Sequence, residues 1–539
     1  MSVSRRTFLR GASLGGAALV SPAILAACGD DDDAPASTPT SAGGDSSPTS
    51  PPTAGASPTA AVRGPSAGVL NVAEPFLPAS LDADTGSSSF NLQFLGALEC
   101  LMRFDRELKP QPWIAEGIER TSPTTWVVRL RDDVTFWDGT LVDAEAVKAS
   151  LTRSIEMQPG TADQIPPGSE ITANGQELTI ETPVPIGLMP YNLANPAFSI
   201  KKVGPGDTFI YTGPYRVEEF TAREFVNLTA YEGYRGGPAW IKEIRARQVA
   251  DTSARSLALQ SGDVQIAQAL LPSDVDLLKS AGLQVFTSPW ARQHMVILNV
   301  NEPPFDDPAV RKAFALAVDR DALVDAIMEG AASPGTGIAP EDIGHKGIVA
   351  TQRFDLEEAM QVLDAAGWAL GNSGIREKDG KSLSFKLGTY AGRAELEQSA
   401  VAIIDMLRAA GMEATIEQSA DIEKTIADNA FQAATYSIGS AAFGDLSRLL
   451  ATLYIPSSRN KDRYSNPAVN EAFSRYIQTS DPDEQADLLT EMQELIGEDV
   501  PIVHLFNPQQ VVGASDKVKN FAPHPLDSYK YGPDMTLEG

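Results

Sequence analysis

Cysteine is almost missing from this chain, whose 539 residues hold two, Cys28 and Cys100. If Cys28 serves another purpose, no internal disulfide is left to form. Histidine is nearly as scarce, and His294, His345, His504 and His524 lack any local spacing, which argues against an all-protein metal cage. A lone histidine of this kind reads first as a packing residue. P-loop, H-E-x-x-H, paired Cys-x-x-Cys and catalytic-triad patterns are all missing. Gly64-Pro65-Ser66-Ala67-Gly68 fits G-x-S-x-G, but it lacks the preceding strand and following helix that a nucleophile elbow requires. Long apolar runs are missing as well. The one weakly apolar stretch, residues 11–27, is too short and glycine-rich to span a bilayer as a mature helix. Basic residues are outnumbered, 43 against 71 acids, for a net charge of -28. So acidic a surface argues against nucleic acid or anionic lipid as the main partner.

What is present begins with an address. Ser4-Arg5-Arg6-Thr7-Phe8-Leu9-Arg10 looks like a twin-arginine export signal, and Leu25-Ala26-Ala27-Cys28 looks like a lipobox with Cys28 as the lipidated residue. Loss of the acid-free leader removes Arg5, Arg6 and Arg10 and takes the net charge from -28 to -31. Residues 28–67 are rich in Asp, Pro, Ser, Thr and Gly and cannot form a core. About forty such residues make a tether with a mean reach of about 35 Å.

The most ordered signal lies in residues 109–150. Pro110 and Pro112 hold Lys109-Pro110-Gln111-Pro112-Trp113 extended. Trp126, Val128 and Leu130 alternate with Thr125, Val127 and Arg129, a strand with one buried face. Asp138-Gly139 marks a turn, and Asp143 can cap a helix with Leu141, Ala144, Val147 and Leu151 on one side. Further on, Ile171 to Ile180 reads as a hairpin, with Asn174-Gly175 supplying the positive φ of a type I′ turn. A helix is expected over residues 90–102. Asp307 followed by Pro308 opens another helix, and Asp355-Leu356-Glu357-Glu358 is a capping box for a third. Cys100, set among Ala97, Leu98 and Leu101, reads as a small buried hydrophobe.

The proline-led entry, strand, Asp-Gly turn and capped helix resemble the solute-binding proteins of peptide and nickel ABC importers, whose pattern runs R-P-W-L-A-E-S, F-x-L-R-x-x-V-x-F-x-D-G-x-P, A-E-D-V. Tyr211-Thr212-Gly213-Pro214-Tyr215 and the run from Val310 to Arg320 match further tracts of that family. The likeness covers residues 69 to about 512, and Ala365-Ala366-Gly367-Trp368 resembles the nickel branch in particular.

The resemblance implies an α/β, periplasmic-binding-protein-like fold of class II, with two lobes, an inserted subdomain and a hinge. The expected layout is leader 1–27, tether 28–67, lobe I 68–292 with an insert at about 106–207, lobe II 293–500, and a return to lobe I over 501–539. It also implies a monomer that is no enzyme and needs no cofactor, displayed on the extracytoplasmic face by its lipid anchor. Its partners would be a permease and ATPase complex and a small peptide or metal-chelate ligand. A surface hydrolase and a ligand sensor or chaperone without an importer stay open as alternatives.

In the family the loop equivalent to residues 85–91 faces the ligand. Peptide binders place a tryptophan and an amine-pairing aspartate where this sequence has Ser440 and Ala442, and Leu446 replaces the proline of G-D-P. The nickel branch's histidine falls near Ser458, and its chelator-holding arginines near Gly160 and Pro196. The frame is therefore present without its relatives' ligand groups. Candidate ligand contacts are Gly86, Ser87, Asn91, Trp137, Trp290, Arg292, Phe443 and Asp445, with no metal ligand among them.

Overall fold

The alternation in Thr125–Leu130 becomes a strand that buries Trp126, Val128 and Leu130. Burial of the indole is completed by a hydrogen bond from its Nε1 to the Ile186 carbonyl at 3.0 Å. Asp143 caps helix Ala144–Met157 through the Ala146 amide, and Val147 and Leu151 face inward as expected. Leu141 does not join them; it lies before the helix and is 47% exposed.

The structure, a computed structural model, describes residues 67–158, 161, 164–340, 345–390, 393–440, 444–456, 460 and 464–538. Its main ladder runs Tyr215–Thr221, Phe225–Ala230, Ile241–Gln248, Ala67–Glu74, Ile266–Ala267, Ile502–Ala514, Arg292–Leu298, Ala433–Gly439, Ser384–Tyr390, Glu413–Ser419. Ile502–Ala514 belongs to both halves. Its last residues, from Gln509, pair with Gln284–Pro289, whereas Ile502 to Phe506 pair with Arg292–Leu298.

Each half has its own core. Leu70, Val72, Tyr215, Val226 and Ile244 pack on one side of the crossing, and Val296, Phe305, Phe314, Phe385 and Leu505 on the other. A separate antiparallel sheet, ordered Ala115–Ser122, Thr125–Leu130, Glu177–Glu181, Glu170–Asn174, forms the inserted part. The arrangement is the expected two-lobed α/β fold.

Two local expectations are corrected. The hairpin exists, but its central residues are Gly175 and Gln176, since Asn174 pairs with Glu177. Gly175 alone takes a positive φ, of 63°, so the loop follows the Gly-X pattern rather than Asn-Gly. Gln176 fixes that register by donating from Nε2 to the Arg131 and Val142 carbonyls.

The helix expected over residues 90–102 is only Ser88–Phe94. It stops because Gly96 turns to φ 72° with the Tyr531 carbonyl oxygen 2.5 Å from where a Cβ would stand. Single caps set by adjacent residues behave as read, whereas the capping box at Asp355 is only half formed, because the Asp355 amide donates to the Leu316 carbonyl instead of to Glu358. Asp307 accepts from Ala309, and Asp355 accepts from Glu358. Cys100 is fully buried, and burial raises its thiol pKa far above the ordinary value.

Candidate functional site

Strand Gln284–Pro289 ends in the first half and Arg292–Leu298 begins in the second, so Trp290 and Ala291 make the passage between them. Ala291 is pinned from both sides. Its amide donates to the Pro525 carbonyl and its carbonyl accepts the Ser440 amide, each at 2.9 Å. The Arg292 amide closes a three-residue turn on the Trp290 carbonyl at 2.6 Å. The second passage is the long strand itself, where Pro508 still pairs with Ala332 and Gln509 already pairs with Pro289. Over these two passages opens a cleft of about 2040 Å3.

One wall comes from Ser87, Phe90, Asn91 and Phe94 of the short helix and its entry, with Phe76 beside them. The facing wall comes from Arg393, Glu395 and Gln398 at the start of helix Ala394–Ala409, and from Tyr436, Ile438 and Gly439. Strands Ser384–Tyr390 and Ala433–Gly439 are parallel, so their carboxyl ends open on the same side. That is where α/β sheets present ligand-binding loops.

The loop carrying Ser87 is held by buried charge. Asp84 accepts from Ser154 and Gln158 and pairs with Lys201 Nζ at 2.8 Å. Arg153 bridges Asp82 and Asp84. The Tyr211 hydroxyl accepts the Ala83 amide at 3.0 Å and donates to the Leu81 carbonyl at 2.6 Å. Three aspects of one loop are thus fixed by residues distant in sequence, which leaves Ser87 and Asn91 on a rigid support.

Charge in the cleft is unevenly satisfied. Burial opposes ionisation of Glu395, but the His294 hydrogen bond, with Arg393 adding its charge, carries its pKa down to about 2. Glu423 accepts the Tyr436 hydroxyl at 2.6 Å. Lys530 pairs with Glu74 at 3.0 Å and Asp527 at 3.2 Å. Arg292 differs. Burial, then the like charge of Arg393, brings its pKa down to about 9, and its Nε is enclosed without a hydrogen-bond partner among the described residues. Its Nη1 donates to Ser437 Oγ at 2.9 Å, and its Cζ lies 4.7 Å from the centroid of the Trp290 ring.

Of the candidates from sequence, Ser87, Asn91, Trp290 and Arg292 line this one cleft. Gly86 adjoins Ser87 at φ 55° and is not among the lining residues. Trp137 sits elsewhere, edge-on to Tyr211 at 5.5 Å and donating to the Gly213 carbonyl at 2.9 Å. Asp445 is buried outside the cleft, where it accepts the Ser447 amide at the start of helix Ser447–Leu453. Burial and then Asp445 raise the pKa of nearby Tyr191 to about 12. Phe443 and Cys28 lie outside the described residues, as do Ala442, Ser458 and Gly160.

Arg393, Glu395 and Tyr436 were missed by sequence reasoning. The signal for Arg393 and Glu395 was the junction of a strand and the helix 394–409 after it, which in a parallel sheet falls at the ligand edge. Among the described residues no group of three or more His, Cys, Asp or Glu is arranged to hold a metal ion. No described helix is long and apolar enough to cross a membrane.

A cleft floored by crossing strands and walled by two α/β halves is the build of a two-lobed solute-binding protein. The chain belongs to the bacterial extracellular solute-binding proteins, family 5, whose Middle region matches residues 109–461. It is 27% identical over 446 residues to the glutathione-binding protein GsiB of Salmonella paratyphi A, covering 78% of this chain and 85% of that protein. It is 26% identical over 451 residues to the nickel-binding protein NikA of Staphylococcus aureus, covering 82% and 90%. The crystal structure of Staphylococcus aureus NikA in complex with Ni(L-His)2 superposes with a TM-score of 0.77 at 25% identity, over 88% of this chain and all of that one. A nickel ABC transporter structure from Bacillus halodurans gives 0.71 at 29% identity, over 87% and 100%.

Proposed function

We propose that this protein is the lipid-anchored extracytoplasmic receptor of an ABC importer, capturing a peptide or nickel-chelate-type solute between its lobes for a permease and ATPase complex. The observation that carries the reading is the cleft over the two crossings, whose walls belong to different halves of the fold. A volume of about 2040 Å3 exceeds the roughly 300–1,000 Å3 of a drug-sized pocket, leaving room for an oligopeptide or chelate with bridging water. Non-covalent capture needs no nucleophile. The relatives' names support the solute class, one naming glutathione and the others nickel. Bending at residues 290–291 and 508–509 would bring the walls together, so these residues are the proposed hinge and lobe boundaries. The receptor works as a monomer, held at the membrane by Cys28 after twin-arginine export.

Mass spectrometry of protein purified without denaturation tests the capture. A bound peptide or metal complex is expected, and recovery of no solute, together with no closure in solution scattering on addition of either class, overturns the reading. Cys28→Ser is expected to release the protein from membranes; a variant still membrane-bound would refute the anchor.

A further inference from the structure

We propose that Arg292 determines the specificity of the cleft by taking a carboxylate of the solute on its Nε–Nη2 edge, with the guanidinium backed by the Trp290 ring. The inference rests on the receptor reading and names a chemical group of what is received.

The cleft's acids are already engaged. Glu395 has His294 and Arg393, Glu423 has Tyr436, and Asp527 and Glu74 share Lys530. Each of them already holds a hydrogen bond or an ion pair within the protein. Arg292 has no carboxylate within ion-pair distance among the described residues. Its one side-chain hydrogen bond among the described residues, from Nη1 to Ser437 Oγ, uses the edge away from Nε. The Nε–Nη2 pair is therefore the unused fork, and that fork has the spacing of a carboxylate's two oxygens.

A desolvated cation without a counter-ion is costly unless something supplies one. The lowered pKa of Arg292 reports the same deficit, since burial and then Arg393 both act against its charge. A carboxylate seated beside the two arginines would offset both effects. Arg292 and Trp290 both line the cleft, and the ring 4.7 Å from Cζ is itself favourable to a guanidinium. Arg292 is a different position in the chain from Ser440 and Ala442, where the family's amine-recognising residues would fall. The preference shifts from the amine end of a solute to its carboxylate.

A carboxylate can arrive on a peptide or on a metal-bound amino acid, and calorimetry on the full chain separates them. The probes are trialanine against its C-terminal amide, and the nickel bis-histidine complex against nickel with histidinamide. At least one acid probe is expected to bind, with its amide at least tenfold weaker. Arg292→Gln should bring the acid down to the amide's affinity, and Arg292→Lys, which keeps charge but not the fork, should fall between. If only trialanine responds the source is a peptide, and if only the nickel complex responds it is a chelate; each supports the inference. Equal binding of acid and amide, undiminished binding in Arg292→Gln, or binding of no acid probe would overturn it. Should Arg292→Gln fail to fold, Arg292→Lys and the acid–amide comparison still decide. Recovery of a solute that carries no carboxylate from native protein would overturn the carboxylate assignment and leave the receptor standing.

Discussion

The Lys201 ammonium lies 2.8 Å from the Asp84 carboxylate, and neither side chain has any exposure. The pair joins residues 117 positions apart along the chain and fixes the loop that presents Ser87 to the cleft. Burial makes such a pair expensive to break, because the surviving partner is stranded as an unpaired charge. Asp84→Asn is therefore expected to cost about 3–5 kcal/mol in urea unfolding. Asp84→Asn with Lys201→Met should recover much of that loss. A double variant no better than the single would show that the pair is not the source of the cost.

Tyr211→Phe examines the same loop without touching a charge. It leaves the Ala83 amide and the Leu81 carbonyl short of one partner each. A loss of about 1–3 kcal/mol is expected. Faster hydrogen exchange at the Ala83 amide than at the strand amides of residues 67–74 should accompany it.

Gly187 marks a close approach between the inserted part and the second half. Its amide donates to the Ile477 carbonyl at 2.8 Å, and a Cβ there would stand 1.9 Å from the Thr479 carbonyl oxygen. Gly187→Ala must push the two segments apart. We expect a destabilisation of about 1–3 kcal/mol, read by chemical denaturation, from what would look like a conservative change.

Acid should destabilise the fold through buried neutral histidines. His504 is held down to about 3 by burial and then by Arg320, and His524 to about 4 by burial. His504 presents Nδ1–H to Gln293 Oε1, since the Gln293 amide nitrogen already donates to the Gly337 carbonyl. Unfolded histidines take protons near pH 6.5, whereas these two refuse them until pH 3–4. Between those limits the unfolded chain binds more protons, so stability falls as pH falls. The slope approaches about 1.4 kcal/mol per pH unit for each histidine. Denaturation at pH 7 and pH 5 should show this, and His504→Asn should make the dependence shallower.

Legibility from sequence followed the range of the interaction. The caps Asp143, Asp307 and Asp355 bind amides two or three residues away, so their roles were written in adjacent letters. Gly213 before Pro214 was readable as a turn. Its deeper constraint, a Cβ that would stand 2.4 Å from the Gly96 carbonyl oxygen, was not. The hairpin's existence followed from alternation, but its register depended on Gln176 reaching back to Arg131. The family pattern pointed to loop 85–91, and Trp290 and Arg292 fell on a crossing. Trp137 and Asp445 could not be sorted by the same means, because an indole facing Gly213 and an acid beneath Tyr191 depend on tertiary contacts alone.

Strand Ile502–Ala514 sits in the middle of the main ladder, where the two halves meet, yet comes from the last tenth of the chain. During synthesis each half must wait for it. The first lacks the partner of Gln284–Pro289, and the second lacks one of the two partners of Arg292–Leu298, until residue 514 has left the ribosome. Folding half by half on the ribosome, the usual course for long chains, is thereby denied to this one. A nascent chain stopped anywhere before residue 502 carries two incomplete ladders, and the finished protein gains both at once.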